Sequence, residues 1–143
     1  MNLRAALLAY AHIFPPTAPE PTEERLTEVY RGRFTPPSRG LVLEADGALV
    51  GCVAASVDDG GEGEVVGLYV DPSWWGRGLG VRLLEAVLED LRDGGARSAR
   101  LWVLEHNTRA RGMYERRGWV ADGGTRGVST VDEVIELRYH LAL

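Results

Sequence analysis

Apolar positions along the chain follow two different rhythms, and the change between them marks out the elements. In residues 3–14, Leu3, Leu7, Leu8 and Ile13 form one stripe, which predicts a helix. Pro15, Pro16, Pro19 and Pro21 end it. Thr22 caps a second predicted helix, with Glu23 and Glu24 at its positive end and Leu26, Val29 and Tyr30 turned inward, closing near Gly32. Pro36, Pro37 and Gly40 then mark a loop. Short apolar runs follow. Residues 41–44 and 48–56 read as strands around an Asp46-Gly47 hairpin turn. An acidic, glycine-rich loop at 58–63 leads to a strand at 64–70, stopped by Asp71-Pro72. Helical spacing returns at 78–92 through Val81, Leu84, Leu88 and Leu91, and Gly94-Gly95 terminates it. A strand at 100–104, a helix at 108–117 stopped by Gly118, and strands at 119–121 and 134–141 complete the pattern. Residues 122–129, with three glycines, read as a loop.

This order predicts a single α/β domain with a mixed sheet, without internal repeats. At 143 residues the chain is long enough for a proper core, and 45% hydrophobic with 26% charged residues is ordinary for a soluble protein. No stretch reaches transmembrane length and no signal-peptide pattern opens the chain, so a cytoplasmic protein without membrane contact is expected. A net charge of −5 argues against non-specific nucleic-acid binding. Arg109, Arg111, Arg116 and Arg117 are read as a solvated helix face in preference to an anion-attracting patch. Cys52, the one cysteine, excludes an internal disulfide and sits in an apolar run as a small core residue. His12, His106 and His140 lack metal-ligand spacing, so no metal is expected.

The strongest chemical signal is the passage from the strand at 64–70 through Trp74-Trp75-Gly76-Arg77-Gly78-Leu79-Gly80-Val81 into a helix. Glycines at 76, 78 and 80 let backbone N–H groups approach a ligand, and the helix start adds unpaired donors and partial positive charge. That is a phosphate cradle that needs no lysine, and the chain contains none. The dinucleotide fingerprint needs a glycine where Val81 stands, and the NTPase loop needs Gly-Lys-Ser/Thr. Both are excluded.

Arg77-Gly78-Leu79-Gly80, between strand and helix, resembles the acetyl-CoA pyrophosphate loop of the GNAT superfamily of N-acetyltransferases, usually Gln/Arg-x-x-Gly-x-Gly/Ala. Trp75 departs from its first position, which removes one side chain but leaves the backbone cradle. Residues 101–119, with Asn107 after a strand and Tyr114-Glu115 before Gly118-Trp119, resemble the second signature of the same superfamily. The likeness runs from the first hairpin to the end, roughly two-thirds of the chain or more. The start departs from it, because only residues 2–4 offer a first strand, which is short or missing.

The resemblance implies a GNAT-like acyl-CoA N-acyltransferase fold and transfer of acetyl from acetyl-CoA, as cosubstrate, to a primary amine of a small molecule, protein or peptide. It implies that the backbone of Leu68, Tyr69 and Val70 pairs with the pantetheine arm. Residues 75–81 hold the pyrophosphate. Asn107 bonds the arm, and Tyr114 protonates the leaving thiolate. A phenol suits that task, since it is protonated at neutral pH and carries its donor on a rigid ring. In some members a glutamate at the place of Glu64 takes the amine proton. Glu62 and Asp59 compete for that role, and Glu105 and His106 also neighbour the site in sequence. Plainer readings stand beside these: a helix cap for Asn107, a core aromatic for Tyr114, a solvated strand-end acid for Glu64. Trp74 and Trp75 are read as packing under the loop in preference to shielding the cofactor's adenosine end. The acidic stretch 58–64 is expected to attract a cationic amine. A homodimer through last strands or exposed edges is open. A non-catalytic acyl-CoA-binding sensor or interaction module is the alternative: it keeps the cradle and needs neither acid nor base.

Overall fold

The computed structural model describes residues 38–128 and 131–143. The helices expected at 3–14 and 22–32, and the first-strand question at 2–4, lie outside the described residues. Six strands and two helices follow in order: β1 (Arg39–Ala45), β2 (Ala48–Val57), β3 (Glu62–Val70), a 3-10 turn (Pro72–Trp74), α1 (Leu79–Asp93), β4 (Ser98–Leu104), α2 (Thr108–Glu115), β5 (Val120–Val128) and β6 (Val131–Ala142). They form one mixed sheet in the order β1-β2-β3-β4-β6-β5. Only β3 and β4 run parallel among the described strands.

The local signals explain most of this. Asp46 and Gly47 both adopt positive φ, 50° and 76°, which matches the turn to the twist of its two strands. Asp58 Oδ1 accepts hydrogen bonds from the amides of Gly60 and Glu62, tightening the β2–β3 loop. For that reason β3 starts at Glu62, two residues before the expected 64. After α1, the amide of Gly95, at φ 91°, bonds back to the Arg92 carbonyl and that of Ala96 to Leu91, closing the helix where Gly94-Gly95 predicted.

One expectation is corrected. Residues 122–128 are not a loop; they belong to β5, paired along β6 with an irregularity between Ala121 and Thr125. The glycines there make room. A Cβ on Gly124 would lie 2.8 Å from Arg138 Nε, which instead reaches Asp122 Oδ2 at 2.7 Å. The Asp122 carboxylate also accepts from the Gly124 amide. A glycine-rich run here is an accommodating bulge in a strand, not a break in it.

The core lies between α1 and the sheet. Leu83, Leu84, Val87, Leu88 and Leu91 are buried against Val53, Ala55, Val65 and Leu101. Helix and sheet touch closely at Gly51, where a Cβ would sit 2.9 Å from Leu83 Cδ1 and 3.0 Å from the Tyr69 carbonyl oxygen. The second neighbour is backbone and cannot swing away. Gly51→Val is therefore expected to destabilise the fold by about 1–3 kcal/mol through overpacking. A urea midpoint unchanged from wild type would refute that reading.

The feature that positions the site is a gap in the middle of the sheet. β3 and β4 pair only from Glu62↔Ser98 to Val65↔Leu101. Both strands continue, yet beyond these residues each keeps only its outer neighbour: β3 pairs with β2 to Val70↔Gly51, and β4 pairs with β6 to Leu104↔Glu136. On the β2 side the register slips between Cys52 and Ala54, opposite Gly67. Gly67 takes φ 68°, a left-handed conformation that side chains disfavour, so glycine permits the bulge that bends β3 away from β4.

Candidate functional site

A cleft of about 440 Å³ opens where β3 and β4 part, a volume suited to a small-molecule ligand. Its first wall is the end of β3, at Leu68, Tyr69 and Val70. The second is the turn at Trp74, Trp75, Gly76 and Gly78 and the first turn of α1 at Leu79, Gly80 and Val81. Gly78 is the N-cap of α1 at φ 73°, so the chain swings into the helix with its first amides unpaired and with no acid in that turn. The third wall is α2, contributing Asn107, Arg109, Ala110, Met113, Tyr114 and Arg116.

The cleft thus gathers nearly all of the sequence-derived candidates. Arg77 is the exception in the loop: it is exposed and lies over the Trp74 ring at 4.5 Å. Asn107 sits on the cleft and caps α2, its Oδ1 accepting from the Ala110 amide at 3.2 Å. Tyr114 lines the cleft and is also a core aromatic, 7% exposed, with edge contacts to Trp119 at 6.0 Å and Tyr139 at 6.3 Å.

Glu64 lies elsewhere. It faces its parallel register partner Arg100, with Oε2 3.2 Å from Nη2, and is not among the lining residues. Asp58 and Glu62 also bind Arg100, and His140 Nε2 lies 3.7 Å from Glu62. The Asp58 carboxyl is held below its usual range, first by the Glu62 amide; burial opposes this next, and Arg100 and the Gly60 amide add to the lowering. Three acids of the stretch 58–64 therefore converge on one guanidinium, which offsets one of their negative charges.

Two further readings change. Trp74 and Trp75 are half-buried on the cleft wall, not packed away under the loop. The Trp75 indole N–H donates to the Val70 carbonyl at 2.9 Å, which fixes the ring at the cleft mouth. The four late arginines are not one solvated face. Arg109 and Arg116 line the cleft, Arg117 pairs with Glu85 at 3.3 Å, and Arg111 is built into a network. Positions 109, 113 and 116 form one helical stripe, a spacing visible in the sequence once the helix is placed.

That network is the part sequence reasoning missed. Arg111 Nε donates to the Tyr139 hydroxyl at 3.0 Å and Nη1 to the Glu105 carbonyl at 2.9 Å, while the Tyr139 hydroxyl donates to Glu115 at 2.6 Å. Tyr139 is fully buried on β6. Burial first, and the Glu115 bond second, push its phenol above the usual range against the opposing pull of Arg111. The network ties α2, and with it Tyr114, to the sheet. Its only advance signal is the alternation Ile135, Leu137, Tyr139, Leu141, which places Tyr139 on an inward face.

The cleft thus joins a glycine-capped helix start, a parted strand pair and a tyrosine at the far wall. The model of the acetyltransferase (GNAT) family matches residues 6–119, and the chain belongs to that family. Mycothiol acetyltransferase of Beutenbergia cavernae is 41% identical over 76 residues, 53% of this chain and 26% of that protein. An IAA acetyltransferase of Azospirillum brasilense is 34% identical over 93 residues, 64% of this chain and 60% of that protein. The chain spans less than two thirds of the length of these curated relatives. Among solved structures, PaiA N-acetyltransferase from Thermoplasma acidophilum in complex with coenzyme A superposes with a TM-score of 0.73 at 17% identity, over 99% of this chain and 87% of that one, a likeness of fold. Among the described residues no helix is long and apolar enough to cross a membrane.

Proposed function

We propose that the protein is an N-acetyltransferase that moves acetyl from acetyl-CoA to a primary amine by direct transfer in a ternary complex. The observation that carries this is the composition of the cleft. It joins unpaired amides at the start of α1, two arginines and a tyrosine, with no carboxylate among its described lining residues, in a chain of net charge −5. Such a cavity suits an anionic ligand with an apolar arm.

In this reading the amides of residues 76–81 receive the pyrophosphate, and Trp75 walls its entrance. The pantetheine arm lies along Leu68, Tyr69 and Val70. The Asn107 side-chain oxygen is already used by the helix cap, so its amide N–H₂ group is the one offered to the arm. The amine nitrogen attacks the thioester carbon, the C–S bond breaks, and the Tyr114 hydroxyl gives its proton to the departing thiolate. Glu64 takes the amine proton. Because it lies outside the cleft lining, that proton passes through water.

Relatives with different printed names, one for mycothiol and one for IAA, support an acyl donor held in common and leave the acceptor as a class: amines of small molecules, proteins or peptides. The engagement of Glu64 by Arg100 favours one rival, a non-catalytic acyl-CoA-binding module. A panel of amines with acetyl-CoA, read by released thiol, separates the two. Turnover with at least one amine is expected. Tight acetyl-CoA binding with no thiol release across polyamines, amino sugars, aminoglycosides and peptides would favour the module.

A further inference from the structure

Six of the twelve described arginines answer a carboxylate. Arg39, Arg100, Arg111, Arg117, Arg126 and Arg138 each form an ion pair. Arg109 has no such pair among the described residues; its guanidinium lies over the Trp75 ring, 4.5 Å from the centroid. The two come from different elements, Trp75 from the turn before α1 and Arg109 from the first turn of α2, and both line the cleft.

The placement of Arg109 is electrostatically unfavourable for the fold alone. It is the second residue of α2, whose N-terminus carries partial positive charge, and no acid occupies that turn. The indole compensates, since its face attracts a cation. Stacking also consumes only the guanidinium face and leaves its edge N–H donors available in the fixed fork that matches phosphate oxygens. The indole itself cannot swing freely, because its N–H is bonded to the Val70 carbonyl.

Building on the acyl-CoA reading above, we propose that Trp75 and Arg109 act as one recognition unit. The indole racks the guanidinium at the cleft mouth so that it meets a phosphate at the nucleotide end of the cofactor. Trp75 is then a positioning residue and Arg109 the phosphate contact. Arg92, exposed in the last turn of α1 and outside the cleft lining, serves as the control.

Calorimetric titration of acetyl-CoA, 3′-dephospho-CoA and S-acetyl-pantetheine tests this. The proteins are wild type, Arg92→Ala, Arg109→Ala, Trp75→Leu, Trp75→Phe and the Arg109→Ala/Trp75→Leu pair. Arg109→Ala is expected to weaken acetyl-CoA about tenfold, the range of a charge-assisted bond, and to leave acetyl-pantetheine, which has no phosphate at that end, within twofold. Trp75→Leu should act in the same direction, and the double variant should be no weaker than the worse single one. Trp75→Phe keeps a stacking face and should lose less, which preserves the test where Trp75→Leu does not fold. If dephospho-CoA keeps the Arg109→Ala penalty, the contact is the pyrophosphate; if it loses the penalty, the contact is the 3′-phosphate. Both outcomes support the unit. Arg109→Ala binding acetyl-CoA within twofold of wild type, fully additive losses, an equal loss with acetyl-pantetheine, or an equal loss in Arg92→Ala would each overturn it. A wild-type protein that takes up no acetyl-CoA overturns the acyl-CoA reading itself and the unit with it.

Discussion

Tyr114→Phe should lower kcat by about a hundredfold or more while acetyl-CoA affinity stays within about twofold. The size follows from what a positioned general acid contributes, about 10²–10⁴-fold. The substitution is selective because the ring, not the hydroxyl, makes the edge contacts to Trp119 and Tyr139. Phenylalanine keeps those contacts and loses the hydroxyl. Steady-state kinetics, calorimetry and a thermal melt on the same preparation separate the three possible readings. Lower kcat with intact binding and melting supports the acid. Turnover equal to wild type removes Tyr114 from the chemistry. Parallel loss of all three would mean the hydroxyl holds the core instead.

The largest stability effect is expected at Tyr139. Tyr139→Ala removes a fully buried ring against which Tyr114 rests, and should cost about 3–5 kcal/mol, the range for deleting a buried aromatic. Tyr139→Phe keeps the volume but strips Arg111 of its acceptor and Glu115 of its donor, and should cost about 1–3 kcal/mol. Wild type and Tyr139→Phe also differ with pH. The folded phenol titrates above its ordinary value of about 10, so the native state binds its proton more tightly than the unfolded chain. Its contribution is therefore complete below pH of about 10 and is lost as pH rises through the folded value. Wild type should lose urea stability more steeply than Tyr139→Phe on that alkaline side. Identical alkaline profiles would show that this phenol does not control the loss.

The sequence made some of this legible and hid the rest for identifiable reasons. The Asp46-Gly47 turn, the Gly94-Gly95 stop and the strand–loop–helix passage around Gly78 were readable because local backbone chemistry alone decides them. Residues 122–128 form a strand although glycine usually marks a turn, because Gly124 is required by the reach of Arg138 across the strand pair. No composition rule reports that. Arg109 and Arg116 looked like solvated charge because a helix bearing four arginines does not announce which of its faces meets a cleft. Glu64 carried a catalytic expectation by its place along the strand. Its partner Arg100 comes from the neighbouring parallel strand, a pairing that only tertiary structure supplies. Tyr139 was invisible as a keystone because its two partners stand on α2, far back along the chain.

The parting of β3 from β4 has a mechanical side. Three strands on each flank form two leaves, and within the sheet only four residue pairs stitch one leaf to the other. A thread laid between them would be gripped from both margins at once, so the occupant becomes part of the fabric that encloses it. Affinity for such a thread and stiffness of the sheet rise together. Substitutions along the seam, well away from any chemistry, then tune how firmly the protein closes on what it holds.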